Sequence, residues 1–251
     1  MPVDLLAGAD ADRIGLISRH DSGDAQGAVP KYLSDIYRWA YLEPLALAVF
    51  DHRPIVSAIL WGNYGRLFRA VVEEVRPGDR AMQLAAVYGP FSKDLMAALG
   101  PAGSLDLVEV APIQAAMTRE KLRGHGNARV LLCDAVTPPP GPYDLVISFF
   151  LLHEVPEDYK VRIVDAALAR LKPGGRAVFV DYHRPVRWHP LRPVMVKVFD
   201  WLEPFAKALW FREIPSYAGP GAADVVWRKQ TYFGGLYQKL VAERPRAAAA
   251  T

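Results

Sequence analysis

The stretch Arg76-Pro77-Gly78-Asp79-Arg80-Ala81-Met82-Gln83-Leu84-Ala85-Ala86-Val87-Tyr88-Gly89-Pro90-Phe91 decides how this chain reads. Pro77 and Gly78 punctuate the end of a linker. The largely apolar run over 81–86 predicts a buried strand, and the chain then turns straight towards a helix predicted over Phe91–Leu99. In a doubly wound nucleotide fold this first strand-to-helix turn approaches the ligand. It usually carries an acidic residue and several glycines, because a residue without a Cβ lets the backbone come close. Here Gln83 stands where the acid is expected, Ala85 and Val87 stand where glycines are expected, and Gly89 remains. An eroded cradle in an otherwise intact frame implies a dead site or a changed chemistry.

Downstream, short apolar strands alternate with helices. Strands are predicted at 105–110, 128–132, 143–149 and 177–181, with helices at 113–122 and 158–171. Alternation of this kind implies an α/β, Rossmann-like, mostly parallel sheet covered by helices. Segments 225–227 and 236–241 read as an antiparallel pair and complete seven strands. Residues 1–29 read as a flexible leader and 30–76 as an aromatic helical cap broken by Pro44 and Pro54. Residues 77–243 form the main domain, with a helical insert over 185–222 after the fifth strand, and 244–251 read as a disordered tail.

The 251 residues are 51% hydrophobic, enough for a full core. Thirty Lys and Arg against 27 Asp and Glu leave a net charge of +3, too small to argue for nucleic acid. The single cysteine, Cys133, allows no internal disulfide and fits a cytoplasmic location. Acidic residues near the start argue against a secretory signal. No apolar run reaches the roughly 18 residues of a spanning helix.

Ligands of open parallel sheets bind beyond the carboxyl ends of the strands. Glu109 ends the second strand, where a carboxylate can accept both ribose hydroxyls of an adenosine; Val110 follows it. Asp134 and Ala135 end the third strand, where the Asp can accept from an adenine amino group. Ser148, Phe149 and Phe150 end the fourth. Leu171-Lys172-Pro173-Gly174-Gly175 suits a helix stop with a left-handed residue. In order and spacing these features resemble class I S-adenosyl-L-methionine (SAM)-dependent methyltransferases over roughly 78–242. On that resemblance Gln83, Ala85, Tyr88, Gly89, Glu109, Val110, Asp134, Ala135 and Phe149 are cofactor-binding candidates.

A narrower resemblance rests on unusual strings: Trp39-Ala40-Tyr41-Leu42, Leu60-Trp61-Gly62-Asn63, Val87-Tyr88-Gly89-Pro90-Phe91, Val110-Ala111-Pro112-Ile113-Gln114, Phe149-Phe150-Leu151-Leu152-His153-Glu154, Asp181-Tyr182-His183-Arg184-Pro185, Trp188-His189-Pro190-Leu191-Arg192 and Phe233-Gly234-Gly235-Leu236-Tyr237-Gln238-Lys239. Together they resemble the rhodoquinone-biosynthesis proteins related to quinone methyltransferases, the RquA family, over about 30–241. That resemblance implies conversion of ubiquinone to rhodoquinone, a ring methoxy group giving way to an amino group. It implies SAM as amino donor and a divalent metal, manganese.

His153, Tyr182 and His183 are the catalytic candidates, with His153 or His183 as a general base near neutral pH. Glu154, Asp181 and His183 are the candidate metal ligands, since a hard divalent ion suits carboxylate and imidazole. The insert mixes Trp188, Met195, Phe199, Trp201, Trp210 and Phe211 with Arg184, Arg187, Arg192 and Lys197. This reads either as a lid over a greasy substrate that also touches the inner face of a membrane, or as an amphipathic cover on the sheet. Three functions stand open at this point: the rhodoquinone enzyme, a conventional methyltransferase for a quinone or other small hydrophobic substrate, and a non-catalytic quinone or lipid carrier. The sequence leaves the oligomeric state open.

Overall fold

The computed structural model describes Pro30 and residues 51–246. The leader, the first part of the cap and the last residues of the tail, as read from the sequence, lie outside the described residues. Within them the cap contributes α1 (Arg53–Ile59) and α2 (Tyr64–Val72). Pro54 sits in the first turn of α1, where its missing N–H has no partner to lose. α2 buries Tyr64, Leu67, Ala70 and Val71, spaced to form one stripe of the helix.

The main domain runs β1 (Arg80–Gln83), α3 (Phe91–Leu99), β2 (Ser104–Glu109), α4 (Pro112–Lys121), β3 (Ala128–Leu132), β4 (Tyr143–Phe149), α5 (Glu157–Ala169) and β5 (Leu171–Tyr182). The insert follows as α6 (Arg192–Trp201) and three short 3-10 turns, and the chain closes with β6 (Val226–Tyr232) and β7 (Tyr237–Glu243). The seven strands lie in the order β3-β2-β1-β4-β5-β7-β6. β1 to β5 are parallel, and β7 inserts antiparallel between β5 and β6.

Two differences from the sequence reading have local causes. β1 ends at Gln83, not at 86: Leu84 still donates to Ile147 O at 2.9 Å, and the chain then bends away. The Lys172-Pro173-Gly174-Gly175 segment is absorbed into β5, because Leu171 already pairs with Tyr143 and the register shifts before Leu145. Gly174 is left-handed, at φ +75°, but it lies within β5 and not at the helix stop that the sequence suggested, since α5 already ends at Ala169.

The sheet separates two cores. On one face Ala81, Leu145, Ile147, Val178 and Val180 pack with α2, α3 and the insert's Met195 and Phe199. On the other, Met82, Val108, Val146 and Phe179 pack with Ile163 and Val164 of α5. Successive residues of β4 point to opposite faces, so both sides of this central strand are apolar. The cap and the insert share the first core, and this places them together over the carboxyl end of β4.

Candidate active site

The turn after β1 holds its shape through side chains where glycines are missing. The Gln83 amide donates to Ala85 O at 2.7 Å and accepts from Ser92 Oγ at 3.0 Å, tying the strand end to α3. Glu109 accepts from Ala86 N at 2.9 Å and from Ala111 N at 2.7 Å, one bond per carboxylate oxygen. Gly89, at φ +76°, donates to Asp51 Oδ1 at 2.9 Å and turns towards α1, where an added Cβ would meet Val56 at 3.4 Å. The Tyr88 hydroxyl accepts from Gln114 Nε2 at 3.1 Å.

Two cavities open beside this turn. The first is a narrow cleft of about 40 Å³ between the ends of β1, β2 and β3, lined by Ala85, Glu109, Val110, Cys133, Asp134 and Ala135 among others. Burial pushes the Glu109 carboxyl up to about 7, against the pull of the backbone N–H groups that bond it. The second is a cavity of about 450 Å³ with mostly apolar walls: Val56, Leu60, Trp61, Val87, Phe149, Phe150, Met195 and Leu202. Its polar groups are Tyr88, His153, Glu154, Tyr182 and Glu203. Ala85, Ala86 and Glu154 line both.

His153 is the best-anchored of these polar groups. Its Nδ1 lies 3.0 Å from Asp181 Oδ1. Asp181 also accepts the backbone N–H groups of Leu152, His153 and Tyr182, so it is immobilised inside the β4–β5 junction. Burial alone would push the imidazole down; Asp181, then Glu203 and Glu154, more than reverse this and raise it to about 9. This favours the imidazolium form of His153 at neutral pH. Its Nε2 faces Glu154 Oε1 at 3.8 Å and Glu203 Oε2 at 3.9 Å. Burial pushes the Tyr88 and Tyr182 hydroxyls upward, so both stay protonated. Phe150, at φ +52°, takes a backbone conformation that is uncommon for a bulky residue. Its ring packs edge-on against Phe149, His153, Tyr182 and Tyr237.

Several expected site residues stand elsewhere. Gln83 is 1% exposed and spent on the turn, and it lines neither cavity. Gly89 faces the cap instead of the cleft. His183 Nδ1 donates to Gly235 O at 2.7 Å and its Nε2 pairs with Lys229 Nζ at 2.9 Å, so it fastens the β6–β7 hairpin. The trio Glu154, Asp181 and His183 therefore does not assemble as ligands of one ion: Asp181 is used up on His153 and backbone N–H groups, and His183 turns away. Among the described residues no three His, Cys, Asp or Glu side chains gather to hold a metal. One polar lining residue was missed altogether. Glu203 comes from the insert, and its signal was its rarity: Asp200 and Glu203 are the only acids between Tyr182 and Arg212.

The fold is matched among solved structures. A SAM-dependent methyltransferase from Aquifex aeolicus superposes at TM-score 0.52 and 16% identity, covering 80% of this chain and 98% of that one. An O-methyltransferase family protein from Burkholderia thailandensis gives 0.57 at 15%, covering 83% and 64%. This is the class I methyltransferase fold.

A protein-family model described as a methyltransferase domain matches residues 81–175. Relatives in sequence include the ubiquinone/menaquinone biosynthesis C-methyltransferase UbiE of Ectopseudomonas mendocina (strain ymp), 27% identical over 154 residues, 58% of this chain and 57% of the relative. UbiE of Burkholderia cenocepacia (strain HI2424) is 30% identical over 154 residues, covering 57% and 60%. The chain thus spans less than two thirds of the length of these relatives.

Proposed function

We propose that this protein is a SAM-dependent transferase acting on a hydrophobic quinone. The observation that carries the reading is the joining of a carboxylate-bearing cleft to an apolar cavity of about 450 Å³ through Ala85, Ala86 and Glu154. The donor set fits SAM: Glu109 at the end of β2 is placed to accept the ribose hydroxyls and Asp134 to meet the adenine edge. At about 40 Å³ the cleft is narrower than a nucleoside and must widen around one. SAM supplies either its electrophilic methyl or its α-amino group. The chain's own part is to bind, to exclude water and to place a proton. Phe149, Phe150, Val87 and Leu202 give a planar ring dry walls, and His153 Nε2–H is the donor available to a ring carbonyl.

The finer reading is amino transfer, ubiquinone becoming rhodoquinone. It is supported by the sequence resemblance described above and by the charge of His153. An imidazolium draws electrons from a quinone carbonyl and activates the ring towards an amine. Ring methylation asks for the reverse, an electron-rich ring and a base. Methyl transfer to a quinone is the second reading, supported by the activity in the name of the UbiE relatives. Membrane contact is part of the proposal. Ile59, Trp61 and Leu202 line the apolar cavity yet are 48%, 42% and 49% exposed, so they form its rim, and Trp201 beside them is 86% exposed. Purified protein is incubated with ubiquinone and SAM labelled with nitrogen-15 in the α-amino group, with and without manganese. Labelled amino-quinone in the mass spectrum supports the first reading; because the ubiquinone ring is fully substituted, methylation is read in a parallel incubation with a reduced quinone that keeps one ring hydrogen, and a methylated product there supports the second. Quinone binding with no turnover removes both and leaves a carrier.

A further inference from the structure

The large cavity has an exposed mouth and a buried floor. Ile59, Trp61 and Leu202 form the rim, whereas His153 is 5% and Tyr182 6% exposed at the other end. Tyr182 is the last residue of β5. It pairs with Tyr237 of β7, and its carbonyl accepts from Gln238 Nε2 at 2.8 Å, so its backbone is fixed. Its ring packs against those of Phe150, His153, Phe199 and Tyr237, with centroids between 4.9 and 5.7 Å away. A ring held on four sides cannot swing its hydroxyl elsewhere. Yet that hydroxyl has no hydrogen-bond partner among the described residues. The Tyr237 hydroxyl, also without a partner, is sealed in the core; Tyr182 instead lines the cavity. A phenylalanine would pack in the same clamp, so the hydroxyl adds nothing to the fold. Burial keeps it protonated and therefore a donor. An apolar ring entering the cavity displaces whatever water bonds this donor, and a buried donor left unpaired is costly.

We propose that the Tyr182 hydroxyl donates to an oxygen on the ring of the hydrophobic ligand and sets the preference for an oxygenated ring over a hydrocarbon of the same shape. The inference rests on the quinone reading above and concerns binding, so it holds whichever group is transferred. It places a second donor beside His153 and turns the ring inward. The tail then runs towards Ile59, Trp61 and Leu202, and a long one leaves through the mouth.

Two probes of one shape test it: a naphthoquinone methylated at both free positions of its quinone ring, and the naphthalene carrying the same methyl groups. They differ in the carbonyl oxygens. Both are titrated calorimetrically against wild type and Tyr182→Phe. Wild type is expected to prefer the quinone. Tyr182→Phe should weaken the quinone between about threefold and tenfold, the range of one neutral hydrogen bond. It should leave the hydrocarbon within about twofold or bind it more tightly, because no hydroxyl is then left unpaired. Equal weakening of both probes, or an unchanged ratio, overturns the proposal, since lost packing does not tell the two apart. Thermal melts establish that the variant is folded. If it is not, Tyr182→Met carries the same comparison, and the carbonyl band of the quinone bound to wild type is read by infrared spectroscopy. A band lying where it does in an alkane is equally fatal. Failure of wild type to bind either probe brings down the quinone reading and this inference with it; binding of both with a ratio indifferent to Tyr182 sinks the inference alone.

Discussion

Glu109 shows how much a single carboxylate decides. Two backbone N–H groups hold it, yet burial lifts it to about 7. Ribose hydroxyls donate to the ionised form, so SAM binding is expected to weaken as pH falls below about 7, by up to about tenfold per unit. Glu109→Gln should flatten that profile and lower affinity at about pH 8 by about 1.5–3 kcal/mol; titration calorimetry across the range checks both. His153 has the opposite linkage. Its folded value, about 9, lies above the ordinary 6.5, so its contribution to stability is complete below pH 6.5 and is lost as pH rises through 9. Asp181→Asn removes the cause, and its melting temperature should change less between pH 7 and 10 than that of wild type. A parallel fall in both proteins would show that Asp181 does not hold the proton. The sequence located Glu109, Asp134, Phe149 and His153 at strand ends because strand ends are legible from periodicity. It could not give direction: Gln83, Gly89 and His183 stand equally close along the chain and turn away, Gln83 drawn by Ala85 and Ser92 close by, Gly89 and His183 by Asp51 and Gly235 far off in sequence.

At the level of elements, one buried lysine ties α5 to the Phe205 segment of the insert. Lys160 is 0% exposed; its Nζ donates to Val155 O at 2.8 Å, Glu157 Oε1 at 2.7 Å and Phe205 O at 3.1 Å. Lys160→Met keeps the length but leaves two buried carbonyls without a donor. It is expected to cost about 2–4 kcal/mol, read from urea unfolding. It should also loosen the Phe205 segment that follows Glu203, seen as faster amide exchange there. Unaltered exchange around 203–210 would mean that Lys160 does not hold this segment. The strands were readable within a few residues because parallel strands buried on both faces are short continuous apolar runs. The course of the insert over the cavity was not, since an amphipathic helix advertises an apolar face without saying what lies beneath it. Lys160 itself reads as a solvated charge on a helix.

At the scale of the molecule, cap and insert bring Ile59, Trp61, Trp201 and Leu202 to one cavity mouth, with Lys197 exposed on α6. Vesicles containing about a third anionic lipid should retain the protein, and Trp201→Ala with Leu202→Ala should weaken retention several-fold without lowering thermal stability. Equal retention of the double variant would place the contact elsewhere. Among the described residues no helix is long and apolar enough to cross a bilayer. The sequence announced the seven strands but not how cap and insert meet, because the contact joins segments more than a hundred residues apart. That distance matters also for order in time. β6 pairs only with β7, and β7 fills the place between β6 and β5 although it is made last of the seven. During synthesis the outer edge of β5 and both edges of β6 stand open until β7 leaves the ribosome. Arrested chains ending near 235 should therefore be digested readily by protease, and chains carried past Glu243 should resist.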